Sequence, residues 1–484
     1  MSGTWEEKNQ STIDLLMGGD AMAALDAACE ALELAKDAGD DSQIETSLHN
    51  ISEVYQAIGD YASAEQPLRE ILSRREEVFG ADSREAAEAL NNLAQLCSYM
   101  DRYAEVEELL RKEIEIYEKN GKEELILGAP LTNLALSCQN QGRIDEAGEI
   151  LRRVLRIYEK KLGPDHPAFA DIMTRLADTY SARGAASAAQ TLYEQALSIL
   201  KETQEEDSAD IGRKSEKLAQ LYVTTGDYDK AEKYFKDALK IYEKQLGENN
   251  LETAQVQNDL GEVYLAENKL ERAKELFNKS LKVREEELGE NHPALAQSLN
   301  NMAVLLETQG KYSESAEMHE RALKIRKEIF GEDHPAVTQS MENLAAVYQM
   351  LGKLQEAEDL LRSSLKIWQE YVGNDNPATA QTQFNLGTIL FMRAKYREAQ
   401  KVFENAKDTM ESHLGKENPN MAMIYKALAA IAKKLGQKEK EQEYSGLYRT
   451  IEEAQKAQAD QKEEEKVDMR TPIDFRKASV PKPE

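Results

Sequence analysis

The sequence predicts an all-α protein, a right-handed superhelical solenoid of about eleven helix-turn-helix repeats. A motif recurs about every 42 residues along nearly all of the 484-residue chain, and apolar residues within each copy recur at helical spacing. The residue before the "LA" or "LG" of each copy, here called the marker, gives the register. The markers are Asn50, Asn92, Asn133, Arg175, Lys217, Asp259, Asn301, Asn343, Asn385 and Ala427, with a weaker first copy near Gln10.

Each copy contains a helix A and a helix B. After the marker Asn343, for example, Leu344, Ala345 and Tyr348 lie one, two and five places on, and Ala357 lies at fourteen. This spacing puts one apolar stripe on each helix, and stacked repeats bury it. Glycines suit the turn between the helices, at Gly59, Gly142, Gly184, Gly226, Gly310, Gly352 and Gly436. Small residues let helix B approach closely, at Ala64, Ala147, Ala189, Ala231, Ala273, Ala357 and Ala399.

A second signal joins one copy to the next. It reads "LGPDHP", "LGENHP", "FGEDHP", "VGNDNP" and "LGKENP" in successive examples. Glycine suits the end of a helix, and proline suits the first turn of the next one. We therefore interpret His166, His292 and His334 as helix caps rather than catalytic residues. The links at 120–131 and 203–214 lack this pattern, and we interpret them as local irregularities, not domain boundaries.

The chain is strongly acidic. Its 89 Asp and Glu outnumber its 61 Lys and Arg, a formal net charge of -28. Such a surface repels nucleic acids and anionic membranes, so we expect neither as a partner. No apolar run is long enough to span a membrane, and the start "MSGTWEEKNQ" does not have the pattern of a signal peptide.

No catalytic motif is present. Phosphate-binding, dinucleotide-binding, zinc-protease and serine-hydrolase patterns are all missing, so we expect no enzyme activity and no cofactor. The three cysteines are too few for a disulfide framework and suggest a reducing compartment. Cys97 and Cys138 occupy the Tyr position of neighbouring copies and are predicted to be buried thiols. Without a Cys-x-x-Cys or His cluster, we expect no metal site.

The spacing of the small and apolar residues after each marker resembles the tetratricopeptide repeat (TPR) pattern, which has Leu, Ala, Tyr, Gly, Ala and Ala at these places. The 42-residue period and the "LGPDHP" link are similar to kinesin light chains, most closely over 131–170. Their N-terminal heptad coiled coil has no counterpart, since the first forty residues are Ala-rich and contain Gly18-Gly19. We expect a TPR solenoid over 1–450, with an atypical first unit, and a charged helix and tail over 451–484.

Helix A carries paired amides. Four successive copies have Gln four places before the marker, which is Asp in the first of them and Asn in the other three, so each pair shares a helix face away from the apolar stripe. These residues are Gln255, Asp259, Gln297, Asn301, Gln339, Asn343, Gln381 and Asn385, and the earlier markers Asn50, Asn92 and Asn133 continue the row. The resemblance to TPR proteins implies that helix A lines the concave groove, where amides hold the backbone of a partner segment. A hydrated face, or amides bonding across adjacent repeats, is the alternative.

The middle of this row is basic. Arg175 and Lys217 replace the marker Asn, and Arg213 lies one turn before Lys217. This basic rung could receive an acidic side chain or a C-terminal carboxylate. Salt bridges to Asp171, Asp178 or Glu216 are the alternative.

These features predict a non-enzymatic scaffold that builds or anchors a multiprotein assembly and holds a partner segment in its groove. The alternative is a cargo adaptor, similar to kinesin light chains, that binds short linear peptides; a regulatory subunit of an enzyme is more distant. We expect a cytoplasmic protein in a larger complex, with the cytoskeleton or an axoneme as candidate locations. Arg476-Lys477-Ala478-Ser479 resembles a basophilic kinase site, which makes Ser479 a candidate for phosphorylation.

Overall fold

The computed structural model describes residues 3–119 and 125–468, and this part of the chain is all-helical, with no strand. A 3-10 turn, Leu125–Leu127, precedes α7. The α-helices are α1 (Trp5–Met17), α2 (Ala21–Ala38), α3 (Asp41–Ile58), α4 (Tyr61–Phe79), α5 (Arg84–Tyr99), α6 (Tyr103–Lys119), α7 (Gly128–Asn140), α8 (Ile144–Leu162), α9 (Pro167–Ala182), α10 (Ala186–Thr203), α11 (Ala209–Thr225), α12 (Tyr228–Gln245), α13 (Leu251–Ala266), α14 (Leu270–Leu288), α15 (Pro293–Thr308), α16 (Tyr312–Phe330), α17 (Pro335–Met350), α18 (Leu354–Tyr371), α19 (Pro377–Met392), α20 (Tyr396–Leu414), α21 (Met421–Lys434) and α22 (Lys438–Asp468). They form the eleven predicted helix pairs, odd-numbered helices being helix A.

The chain divides into two compact units, Met1–Gln245 and Leu246–Glu484. In the first unit each helix packs on the next from α1 to α12, and in the second from α13 to α22. Neither irregular link coincides with the division: the link at 203–214 only separates α10 from α11, and residues 120–124 lie outside the described part. The boundary expected at residue 450 stays a prediction, since α22 runs through it.

Local signals end and begin the helices as predicted. His166, His292 and His334 each precede a proline at the start of a helix. In all three the ring Nδ1 accepts a hydrogen bond, 3.1 Å long, from the backbone N–H two residues on. Asn376 does the same with its side-chain oxygen at 2.9 Å. The histidines are therefore helix caps, because the exposed N–H groups of a helix start need an acceptor.

Small residues allow the helices to approach closely. Ala231 and Ala345 are almost fully buried, as predicted. Where helix A carries glycine, the packing leaves no room even for a methyl group: one on Gly261 would lie 2.6 Å from the ring of Phe277. Cys97 and Cys138 are also fully buried, which confirms them as core thiols, and Cys29 is an exposed free thiol.

Ion pairs connect neighbouring repeats. Glu358 on α18 is 3% exposed, yet it pairs with Arg362 on its own helix and with Arg393 and Lys395 around the start of α20. A buried carboxylate is tolerated only when it is paired, so three cations keep this one ionised. They hold the pKa of Glu358 below its usual value against the opposing effect of burial.

Candidate functional site

The candidate site is the face of helix A that carries the amide row. Gln297, Gln339 and Gln381 are exposed, and the markers four residues later are half-buried. The apolar residues after each marker, such as Leu344 and Ala345, are buried on another side of the helix. The amides therefore lie on a surface and not in the core.

Some marker amides are engaged within the protein. The Nδ2 of Asn343 donates to the Oδ1 of Asn300 at 2.7 Å, and the Nδ2 of Asn301 donates to the Oδ1 of Asn258 at 3.1 Å. Asn50 repeats this arrangement with Asn9, at 2.7 Å. In all three cases the acceptor is an Asn that directly precedes the marker of the previous repeat. These three amides bond across adjacent repeats, which is one of the alternatives that the sequence left open.

Gln255 and Asp259 belong to a partly buried polar network. The Nε2 of Gln255 donates to Asp259 at 2.7 Å, and its Oε1 accepts from the guanidinium of Arg284 at 2.6 Å. Arg284 is 2% exposed and also donates to Ser298 at 2.7 Å. Burial lowers the pKa of Arg284 and raises that of Glu262, which accepts from Asn301 in the same network. The polar groups of Gln255 and Asp259 are thus already bonded within the protein itself.

Sequence reasoning missed Arg284 and Glu262. The available signal was the register: Arg284 lies 42 residues after Tyr242, which is buried in the previous repeat. A charged residue at a core position of a repeat predicts a buried partner, because an unpaired charge there costs several kcal/mol. Arg326, one repeat later, follows the same pattern and donates to Ser340 at 2.7 Å.

The other amides are less engaged. The Nε2 of Gln381 donates to the Oδ1 of Asn385 within α19 at 3.2 Å. The Nδ2 of Asn385 has no acceptor among the described residues. Asn92, Asn133, Gln297 and Gln339 have side chains that make no hydrogen bond within that part of the chain. An exposed amide of this kind can both donate to and accept from a partner.

A cavity of about 280 Å³ opens beside one of these free amides. Gln95, Ser98 and Tyr99 on α5 line it from one repeat, and Asn133 and Leu136 on α7 line it from the next. We call it the Asn133 cavity. Tyr99 and Leu136 are 53% and 44% exposed, so both present apolar surface at the cavity. Sequence reasoning missed this cavity, although Leu136 stands three places after its marker, where several other copies carry a polar residue.

The three residues of the basic rung have different environments. The Nζ of Lys217 lies 3.0 Å from the carboxylate of Asp178, one of the salt bridges that the sequence offered as the alternative. Arg213 pairs with Asp210 on its own helix and holds the pKa of that carboxyl below its usual value. Arg175 is exposed and makes no ion pair within the described residues. Of the three, Arg175 has the cation that remains available.

Other site types are not found in the described part of the chain. No group of His, Cys, Asp or Glu side chains there could hold a metal ion. None of the described helices is long and apolar enough to cross a membrane. Ser479 lies outside the described residues, so its phosphorylation stays a prediction.

Comparison with known proteins identifies the repeat. No curated protein matches the sequence. Solved structures similar to the chain include BtubC (BKLC) of P. vanneervenii, at 29% identity and a TM-score of 0.41 over 48% of this chain and 91% of that one. A putative kinesin light chain of Podospora anserina with nearly identical TPR-like repeats is 25% identical, with a TM-score of 0.39, over 42% and 97% of the two chains.

The apo form of the quorum sensor NprR from B. thuringiensis has a similar fold. Its TM-score is 0.51 at 17% identity, over 75% of this chain and 98% of that one. The sequence model of the tetratricopeptide repeat matches 43–119, 127–202, 210–286, 266–328, 296–370 and 336–412. These matches cover well over half of the sequence and agree with the helix pairs and their turns. The chain therefore belongs to the tetratricopeptide repeat family.

Proposed function

We propose that this protein is a non-enzymatic interaction scaffold that holds an extended segment of a partner protein along helix A. The observation that carries the proposal is a set of amides that have no hydrogen bond within the described residues: the exposed Asn133, Gln297 and Gln339, and the half-buried Asn92. Because an amide offers both a donor and an acceptor, these side chains can pair with the peptide groups of a partner whatever its side chains are. The assembly would be cytoplasmic, and a cytoskeletal complex is a candidate.

Charge restricts the partner. With a net charge of -28, the scaffold attracts basic proteins at long range and repels strongly acidic ones. Arg175 is a local exception, since its guanidinium has no ion pair among the described residues and can receive one carboxylate from the same partner segment. The proposed partner segment is therefore extended, not strongly acidic overall, and able to place one acidic group near α9.

Cross-linking followed by mass spectrometry on affinity-purified full-length protein tests this proposal. We expect cross-links from one partner to lysines near helix A, such as Lys214 and Lys217 on α11, in a complex that survives gel filtration. A complex whose cross-links lie only on helix B would contradict binding along helix A. A partner that is captured by affinity purification but dissociates during gel filtration would favour the cargo-adaptor alternative, in which short peptides bind transiently.

A further inference from the structure

We propose that the Asn133 cavity is a specificity pocket for one uncharged apolar side chain of the partner segment. This inference rests on the proposed function, since the cavity lies on the helix A face that would hold the segment. Val106 and Leu110 on α6, both almost fully buried, contribute apolar surface to it. Leu136 and Tyr99 form further apolar walls. A partner side chain placed here would remove these exposed apolar surfaces from water.

The lining selects against charge. None of the described residues that line the cavity carries a charge, although 31% of the chain is Asp, Glu, Lys or Arg. A charged side chain entering it would lose hydration without gaining a counter-ion. The cavity lining also includes the polar side chains of Gln95, Ser98 and Asn133. None of these three side chains has a hydrogen bond within the described part of the chain. They can hold the partner backbone while its side chain occupies the cavity.

The cavity walls are held in place by other contacts. The ring of Tyr99 stacks on Tyr61 of α4, with centroids 5.4 Å apart. Ser137, also on the lining, donates to the backbone oxygen of Tyr103 at 3.2 Å. A pocket whose walls are fixed before binding loses less conformational entropy when it is filled. The cavity therefore suits a role in selecting the partner.

Small probes test the cavity without any partner. In the full-length chain with labelled Ile, Leu and Val methyl groups, isobutanol should give saturable NMR shifts at Val106, Leu110 and Leu136. Isobutylammonium and isovalerate carry the same isobutyl group on a positively or negatively charged head, and should bind at least ten-fold more weakly. Equal binding of all three probes, or no shift with isobutanol, would overturn the proposal.

A matched pair of variants tests whether partners use the cavity. Leu136 and Val304 stand at the same position of their repeats and are both exposed, but Val304 lies far along the chain, in the second unit. Peptides selected from a displayed random library on the wild-type protein should bind Leu136→Glu at least ten-fold more weakly and Val304→Glu at nearly wild-type strength. Circular dichroism should show both variants folded, because both sites are exposed.

The two experiments separate the two proposals. If peptides are selected and bind Leu136→Glu as well as the wild type, the specificity pocket is wrong and the scaffold function stands. If no peptide is selected, the extended-segment function is in doubt, and the isobutanol titration still decides whether the cavity takes apolar groups. Filling the mouth with Gln95→Phe, at an exposed position, should block isobutanol as well, and unchanged isobutanol binding there would also count against the proposal.

Discussion

The ring of Phe403 on α20 lies against the backbone of Gly387 on α19, so closely that a methyl group at residue 387 would be 2.7 Å from the ring. One repeat earlier, the same two positions hold Ala345 and Leu361, both buried. A larger residue on helix A thus accompanies a smaller one on helix B. The close packing of the interior makes such pairs interdependent.

Gly387→Ala should therefore destabilise the protein by about 1–3 kcal/mol, because the new methyl group overpacks the contact. Phe403→Leu should also destabilise it, by leaving a void. The double variant reproduces the Ala345–Leu361 pair and should cost less than the sum, with a coupling of about 0.5–3 kcal/mol. Urea denaturation of the three variants measures this coupling, and additive effects would contradict the predicted contact.

The turn between α19 and α20 contains Ala394 at a φ of 58°. The equivalent position 42 residues earlier is Gly352, at a φ of 74°. Because a left-handed backbone strains every residue with a Cβ, Ala394→Gly should stabilise the protein by about 0.5–1 kcal/mol. The reverse change, Gly352→Ala, is the matched control and should destabilise it by a similar amount. Thermal melting checks both, and shifts of the same sign would contradict the expected strain.

Sequence reasoning succeeded where the signal is local. The 42-residue register predicted the helix pairs, and His334 before Pro335 predicted a cap, because both depend on residues close in the chain. It could not distinguish Asn133 from Asn343, which are equivalent in the register. Their difference depends on the preceding repeat: Asn300 is free to accept from Asn343, while Asn91, the corresponding residue for Asn133, is turned towards Glu113.

Glu113 itself makes stability depend on pH. Its carboxylate is 3% exposed and accepts from Asn91 at 3.0 Å, and burial raises its pKa to about 7. Between the unfolded pKa of about 4.3 and the folded value, the native state holds a proton that the unfolded chain has lost. The stabilisation from this group is therefore present below about pH 4 and is lost as the pH rises to 7.

Glu113→Gln removes this titration and keeps an acceptor for Asn91. We expect it to raise the free energy of unfolding at pH 8 by about 1–3 kcal/mol relative to its effect at pH 4. Glu108→Gln, on the same helix, is the control: Glu108 is exposed and its pKa is lowered by Lys112, so this variant should be no more stable than the wild type at pH 8. Urea midpoints at the two pH values measure the difference. An unchanged pH profile in Glu113→Gln would contradict the raised pKa.

The last prediction concerns the two kinds of marker amide. The side chain of Asn343 makes a hydrogen bond within the protein, and that of Asn133 makes none with the described residues. Asn343→Ala should therefore destabilise the fold by about 0.5–1.5 kcal/mol, the net value of one neutral hydrogen bond. Asn133→Ala loses no such bond and should leave the melting temperature unchanged, because alanine suits a helix.

The effects on peptide binding should be the reverse of the effects on stability: Asn133→Ala should weaken binding and Asn343→Ala should not. If Asn133 holds a partner backbone, its loss should weaken the binding of displayed peptides by about 0.5–1.5 kcal/mol, roughly 2- to 12-fold. Asn343→Ala should bind them nearly as the wild type does, since its amide is already used. Fluorescence titration with a peptide selected on the wild type measures both. If Asn133→Ala binds at full strength, the free amides are a hydrated face, and partners must then dock on helix B, on the links or on the tail.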